Sequence, residues 1–136
     1  MALQNAVRIS THFWLYEFAS PDTGAVIIHP VLLYRLELLR LAWADPLLIS
    51  SGYRSAAHNA DPKVGGLPYS RHLDGRAVDV PIGTVETTGV HSVAWWRARG
   101  YLPSTEVDIL HALALRCGWS AGQVLDEGDH VHLEVD

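Results

Sequence analysis

Apolar residues recur at intervals of three and four over residues 31–44, and this spacing is typical of an amphipathic helix. The apolar stripe consists of Leu32, Leu36, Leu39 and Trp43. Pro30 suits the first turn of such a helix, and Asp45 with Pro46 ends it. We therefore predict one helix here, with its apolar face turned toward a core.

A second helix is predicted over residues 104–116, with Ser104 as its N-cap and Gly118 as its stop. Its core stripe is predicted to be Val107, Leu110, Ala114 and Leu115. Cys117 follows this helix and is the only cysteine of the chain, so no internal disulfide can form. We expect Cys117 to be a small core residue.

Three short segments have the pattern of strands. Residues 47–50 form a continuous apolar run, residues 77–82 follow a glycine-containing turn, and residues 130–135 alternate between polar and apolar side chains. Residues 56–69 are rich in Gly, Pro, Asn and Asp, which predicts an ordered loop without repetitive structure. Loops held by rigid scaffolds often carry function.

Composition narrows the possible classes of protein. The chain has 136 residues, of which 49% are hydrophobic and 18% charged, as expected for a single globular domain over residues 1–136. Its formal net charge of −5 provides no broad basic surface, so nucleic acid and anionic membranes are not expected as partners. No stretch approaches the roughly 18 apolar residues of a membrane span, and the N-terminus lacks a secretory leader pattern, so we expect synthesis in the cytoplasm.

The eight histidines invite a search for metal-ligand spacing. His72 and Asp79 are seven residues apart, with Gly75 between them. On a continuous helix they would lie about 10 Å apart along the axis, too far to share one ion at bonds of roughly 2 Å. A bend near Gly75 would allow an imidazole nitrogen and a carboxylate oxygen to converge.

Further candidate ligands crowd the C-terminal end, where Asp129, His130, His132 and Glu134 lie within six residues. Zinc in hydrolases commonly takes three protein ligands and keeps a fourth position for water, whose pKa falls to about 7, and a carboxylate then accepts the water's proton. Either histidine could complete the ligand set. Either carboxylate could serve as the base, and spacing alone leaves both choices open.

Several motifs, in this order, resemble the M15-type zinc peptidases. They are SGYRS, HN, VGG, SRHLDGRAVDV and DHVHLEV, and the opening THFWLYEFASPDTG resembles the start of one M15 subfamily. That family comprises D-alanyl-D-alanine carboxypeptidases and phage endolysins that cut peptidoglycan peptides. The resemblance implies a small α+β domain with a central antiparallel sheet carrying one zinc ion and helices packed to one side, a hedgehog/DD-peptidase-like fold.

The resemblance also implies a role for individual residues. Zinc would be held by His72, Asp79 and His132. Asp129, three residues before the last ligand, would act as the base. Arg54 would bind substrate or stabilise the developing oxyanion, although an arginine in a loop can also simply pair with an acidic residue.

The assignment of Asp129 has a structural requirement. His130 and His132 would point to one side of a regular strand and Asp129 to the other, so Asp129 must lie in the loop before the strand. His130 and Ser70 are further candidates for contact with substrate. Ser70 could instead orient a ligand or cap its own turn.

The implied substrate is the stem peptide of peptidoglycan, cut either by a carboxypeptidase or by an endolysin-type endopeptidase. Such a protein would be monomeric, of phage or prophage origin, and would act on the cell wall after release. Residues 83–128 match no motif of the family, so the cleaved bond is not predicted. The alternative is a non-catalytic zinc-binding module, structural or wall-binding, with the same fold.

Overall fold

The computed structural model describes residues 4–81, residue 98 and residues 106–136, and the helix that begins at Glu106 is described in its side chains from Asp108. Over these residues the protein is a small α+β structure with one three-stranded antiparallel sheet. The helices are α1 (Pro30–Trp43), α2 (Ala56–Ala60) and α3 (Glu106–Arg116). The strands are β1 (Ala77–Pro81), β2 (Val124–Asp126) and β3 (His130–Glu134).

Helix α1 forms where its apolar spacing predicts. All four residues of its predicted stripe are buried. His29 caps the N-terminus, because its side chain accepts a hydrogen bond from the backbone N–H of Val31 at 3.2 Å. Ala44 ends the helix in the left-handed conformation, with φ of 62°.

Helix α3 also forms, but its buried face differs from the predicted one. The buried residues are Ile109, Leu110, Leu113 and Ala114. Leu115, predicted for the core, is 40% exposed because it lies one position further around the helix than Ala114. Gly118 follows the helix with φ of 110°, whereas Ser104 and the side chain of Val107 lie outside the described residues. Cys117 is half-buried and packs against the core.

Strand β3 lies at the centre of the sheet, between β1 and β2. Alternation along β1 and β3 separates two faces. On one face, Val78 and Val80 lie opposite Leu133 and Val131, and all four are buried in the core formed with α1 and α3. On the other face, Asp79 of β1 lies opposite His132 of β3, which is where a site can form.

Two predictions about secondary structure are wrong. Residues 47–50 form no strand; immediately after them the chain makes an isolated bridge, in which Ser51 pairs with Asp79. Residues 56–69 are not loop throughout, because they begin with α2, which Ser55 caps through a hydrogen bond from the His58 N–H at 3.1 Å. None of the described helices is long and apolar enough to span a bilayer.

Candidate metal centre

The bend predicted near Gly75 is present. A 3₁₀ turn, Arg71–Asp74, carries His72 and ends at Gly75, whose φ is 71°. A Cβ atom at this position would lie 2.4 Å from the carbonyl oxygen of Ile27, so both the backbone conformation and the lack of space require glycine. The chain then enters β1, which carries Asp79.

Strand pairing brings in the third group of this centre. Asp79 of β1 lies directly opposite His132 of β3. The Oδ1 atom of Asp79 is 3.3 Å from Nε2 of His72 and 3.1 Å from Nδ1 of His132. All three candidate ligand atoms lie within 4.8 Å of one another. The structure therefore brings together the three residues that the family resemblance implies as ligands.

His72 contributes a buried ring nitrogen that has no hydrogen-bond partner among the described residues. Its Nδ1 lies 2.7 Å from the carbonyl oxygen of Gly52, which can only accept, so Nδ1 carries the proton. In the neutral ring Nε2 then holds a lone pair, and His72 is only 1% exposed. Buried polar atoms are normally paired, so this atom requires an explanation.

A metal ion provides that explanation. A lone pair that faces a carboxylate oxygen is repelled unless a cation lies between them. Two imidazole nitrogens and one carboxylate oxygen are a donor set that zinc accepts, and bonds of about 2 Å in a tetrahedron place ligand atoms roughly 3.3 Å apart, close to the separations observed. His72, Asp79 and His132 therefore fit a zinc ion.

Asp79 is held as an anion. Burial alone disfavours its charged form, but the imidazole rings of His132, His72 and His130 outweigh that penalty and keep the pKa of Asp79 well below its ordinary value. Its second oxygen, Oδ2, accepts a hydrogen bond from Nη2 of Arg54 at 3.1 Å. A buried carboxylate that remains charged is suited to bind a cation.

Arg54 is engaged by its neighbours as well as by Asp79. Its Nε donates to Oγ of Ser51 at 3.0 Å, and its Nη1 donates to Oδ1 of Asn59 at 3.4 Å. The backbone N–H of Arg54 donates to the carbonyl of His72 at 3.0 Å. The pairing with an acidic residue that sequence reasoning weighed for Arg54 is thus present, and the acid is a candidate ligand.

The segment that carries Arg54 is clamped from the N-terminal side. The backbone N–H of Tyr53 donates to the carbonyl of Phe18 at 2.8 Å, and that of Ser55 donates to Oγ of Ser20 at 3.0 Å. A Cβ atom on Gly52 would lie 2.7 Å from the Phe18 backbone, so only glycine permits this approach. The carbonyl that orients His72 is therefore held in a fixed position.

Asp129 lies in the loop immediately before β3, as its predicted role requires. Its carboxylate is 90% exposed and lies 2.7 Å from Nδ1 of His130. This hydrogen bond lowers the pKa of Asp129. The other nitrogen of His130, Nε2, is 3.8 Å from Oδ1 of Asp79, so His130 is further from the centre than His132.

Glu134 contacts both His132 and an arginine that sequence reasoning missed. Its Oε1 is 3.0 Å from Nε2 of His132, and its Oε2 is 3.7 Å from Nε of Arg71. Adjacency to His72 is the one signal that could have indicated Arg71. Ser70 accepts a hydrogen bond from the backbone N–H of His72 at 3.2 Å, so its hydroxyl caps its own turn.

A sequence model of the Peptidase M15 family matches residues 15–111, more than half of the chain. The chain belongs to the Peptidase M15 family. M15 peptidases depend on zinc, in agreement with the donor set described above. No curated protein and no solved structure matched the chain.

The matched part of this M15 peptidase contains Arg54, His72 and Asp79 but ends before β3. The pairing of β3 with β1, rather than the family match, therefore brings His132 and His130 to the centre.

A cavity of about 580 Å³ opens over the centre of this M15 peptidase. One wall comes from the segment after α2 and the other from β2 and β3. Among its lining residues, Tyr69 is 94% exposed and Leu67 is 74% exposed, whereas Leu125 on the opposite wall is 41% exposed. Among the described residues, the walls of this cavity thus present both polar and apolar groups beside the centre.

Proposed function

We propose that this protein is a zinc metallopeptidase that hydrolyses amide bonds in the stem peptides of peptidoglycan, as a D-alanyl-D-alanine carboxypeptidase or an endolysin-type endopeptidase. The unpaired Nε2 of buried His72, facing Asp79 beside His132, is the observation that carries the proposal. Membership of the M15 family supports peptidase activity. The mixed polar and apolar cavity is compatible with a peptide substrate.

His72, Asp79 and His132 would hold the metal. A zinc ion bound there supplies a Lewis acid, which lowers the pKa of water to about 7 and polarises a carbonyl group. Asp129 would accept a proton from the attacking water and deliver it to the leaving amine. This transfer needs an exposed carboxylate beside the cavity, and Asp129 is 90% exposed next to His130, which lines that cavity.

Glu134 is less suited to act as the base. Both of its oxygens are engaged, one by His132 and the other by Arg71. Asp129 has a single described side-chain partner, His130, which leaves its second oxygen available. The contacts therefore support the assignment of Asp129 that the family resemblance implies.

Arg54 would stabilise negative charge on the substrate. A guanidinium has five N–H donors, and the contacts with Ser51, Asn59 and Asp79 use three of them. The remaining donors belong to a side chain that lines the cavity, where a carboxylate or an oxyanion can accept them. Ser70 and His130 also line the cavity and would contact the peptide.

The proposal extends to the whole chain. It includes a hedgehog/DD-peptidase-like fold in one domain over residues 1–136, a monomeric protein, phage or prophage origin, and action on the cell wall after release from the cytoplasm. The antiparallel pairing of Asp79 with His132 is the structural feature that supports this fold.

Purified peptidoglycan incubated with zinc-loaded protein tests the function. Mass analysis of the soluble fraction is expected to find released D-alanine or shortened stem peptides, and the fragments identify the cleaved bond. Asp129→Asn should lower the rate by about 10²- to 10⁴-fold while zinc content persists. Asp74→Asn is the matched control, because Asp74 is also an exposed carboxylate in a local pair, with Arg76 at 3.3 Å.

The competing interpretation is a zinc-binding module without catalysis. It predicts that wild-type protein binds zinc and sediments with peptidoglycan but releases no new amine. That result would overturn the proposed activity. An Asp129→Asn rate equal to that of wild type would instead overturn the assignment of Asp129 as the base.

A further inference from the structure

The two candidate histidine ligands present different ring nitrogens to Asp79. His72 directs Nε2 at Oδ1 of Asp79, whereas His132 directs Nδ1 at the same atom. In a neutral imidazole one nitrogen carries a proton and the other a lone pair, so a ligand histidine must hold its proton on the nitrogen that faces away from the metal. Each ring therefore needs a hydrogen-bond acceptor on its far side.

The acceptors differ in kind. For His72 the acceptor is the backbone carbonyl of Gly52, which is neutral and lies 2.7 Å from Nδ1. For His132 it is the carboxylate of Glu134, which lies 3.0 Å from Nε2. Glu134 can reach the ring because residues two apart on a strand project from the same face.

We infer that Glu134 is a positioning residue, which holds the proton of His132 on Nε2 and thereby directs Nδ1 to the metal. The inference rests on the metal centre of the proposed function and adds a residue to it. Arg71 supports this arrangement, since its Nε lies 3.7 Å from the second carboxylate oxygen and balances the charge of Glu134. Glu134 itself contacts no candidate ligand atom that faces the metal position, so its action passes through His132.

The charge of Glu134 has a consequence for metal affinity. A carboxylate that accepts the proton of a ligand imidazole makes that imidazole a stronger donor, and loss of such outer partners typically weakens metal binding by about 10- to 100-fold. The carbonyl group that faces Nδ1 of His72 belongs to the backbone of Gly52, so a side-chain substitution cannot remove it. Glu134 is therefore the position at which this effect can be measured.

Metal affinity provides the first test. The dissociation constant for zinc is measured by competition with a chromogenic chelator for wild type, Glu134→Gln and Glu134→Ala. We expect a loss of about 10- to 100-fold for Glu134→Ala, and a smaller loss for Glu134→Gln because its amide oxygen can still accept the proton. Glu127→Gln is the control, since it removes the same charge from the wall of the same cavity; its affinity should stay within about twofold of wild type.

A spectroscopic test reads the ring nitrogens directly. In zinc-loaded wild type with ¹⁵N-labelled histidine, long-range proton–nitrogen correlation is expected to show metal-bound Nδ1 and protonated Nε2 for His132, with the reverse for His72. This measurement needs no variant, so it decides the inference even if Glu134→Ala fails to fold. Zinc on Nε2 of His132, or an unchanged zinc affinity in folded Glu134→Ala, would overturn the inference.

The outcomes separate the inference from the proposed function. If the affinities and spectra are as expected but wild type cleaves no peptidoglycan, the proposed activity is wrong and the role of Glu134 stands. If wild type cleaves peptidoglycan but Glu134→Ala binds zinc as tightly as wild type, the role of Glu134 is wrong and the activity stands. If wild type binds no zinc, both are wrong.

Discussion

Two carboxylate–histidine clusters of this protein use the same residue types for different purposes. In the first, Glu37 of α1 accepts hydrogen bonds from Oγ of Ser10, from the backbone N–H of His12 at 2.7 Å and from Nδ1 of His12 at 2.7 Å. In the second, Asp79 faces His72 and His132 from separate segments of the chain. Both carboxyl groups have a pKa below the ordinary value.

The clusters differ in what is left unsatisfied. Among the described residues, no buried side-chain atom of the Glu37 cluster lacks a partner, whereas Nε2 of His72 does. A carboxylate whose donors all come from one short segment attaches that segment to the helix. A carboxylate that faces an unpaired ring nitrogen and imidazoles from several segments is arranged for a cation. Hydrogen-bond satisfaction, rather than composition, separates structural from functional clusters here.

The largest expected effect is the loss of metal binding in Asp79→Asn. The substitution removes one ligand and the one charge that both histidines face, so zinc affinity should fall by more than the roughly 100-fold that marks the loss of an outer partner. Chelator competition measures the loss. Glu37→Gln removes a carboxylate charge from the other cluster and should bind zinc like wild type; if both variants lose affinity equally, the distinction between the clusters is wrong.

Next in size is the stability loss in Glu37→Ala. Three donors of residues 10–12 lose a partly buried acceptor, and we expect the free energy of unfolding to fall by about 2 kcal/mol. Urea unfolding of the metal-free protein measures this change. Asp74→Asn, which weakens a surface ion pair, should stay within about 0.5 kcal/mol of wild type. An equal loss in both variants would contradict the structural role of Glu37.

The long elements of the fold were predictable, and the short ones were not. The spacing of Leu32, Leu36 and Leu39 repeats over three turns, which is enough to identify α1. Strand β2 has three residues, too few for alternation to show, and it forms because β3 offers an unpaired edge. Helix α2 lies in a segment whose Gly and Pro content favours loop.

The candidate ligands were predictable from the sequence, but the groups that orient their side chains were not. His72, Asp79 and the bend at Gly75 form one motif in the sequence, and His132, which only the family resemblance distinguished from His130, lies on a strand that six alternating residues predicted. The carbonyl of Gly52 has no sequence signal and Arg71 has only its adjacency to His72, since both act through tertiary contacts. Spacing along the chain identifies candidate ligand residues, whereas the orientation of their side chains depends on contacts in the folded structure.

The pH dependence of stability tests the role of Glu37 in the first cluster. Burial opposes ionisation of Glu37, but the hydrogen bonds from Ser10 and His12 outweigh it and lower its pKa below the ordinary 4.5. A lowered pKa means that the stabilisation is complete above pH 4.5 and is lost as the pH falls through the folded-state value. The difference in unfolding free energy between wild type and Glu37→Gln should therefore shrink as the pH falls below about 4.5. A difference that grows below this pH would reverse the assigned sign.

The smallest effect is expected for Ser10→Ala, which removes one of the three donors to Glu37. We expect a loss of about 1 kcal/mol, measured by urea unfolding. A double-mutant cycle sharpens the test, because in the Glu37→Ala background the hydroxyl of Ser10 has already lost its acceptor, so the second substitution should cost about 0.3 kcal/mol or less. Full additivity of the two substitutions would mean that Ser10 stabilises the protein through some other contact. The hydrogen bond between Ser10 and Glu37 would then contribute no measurable stability.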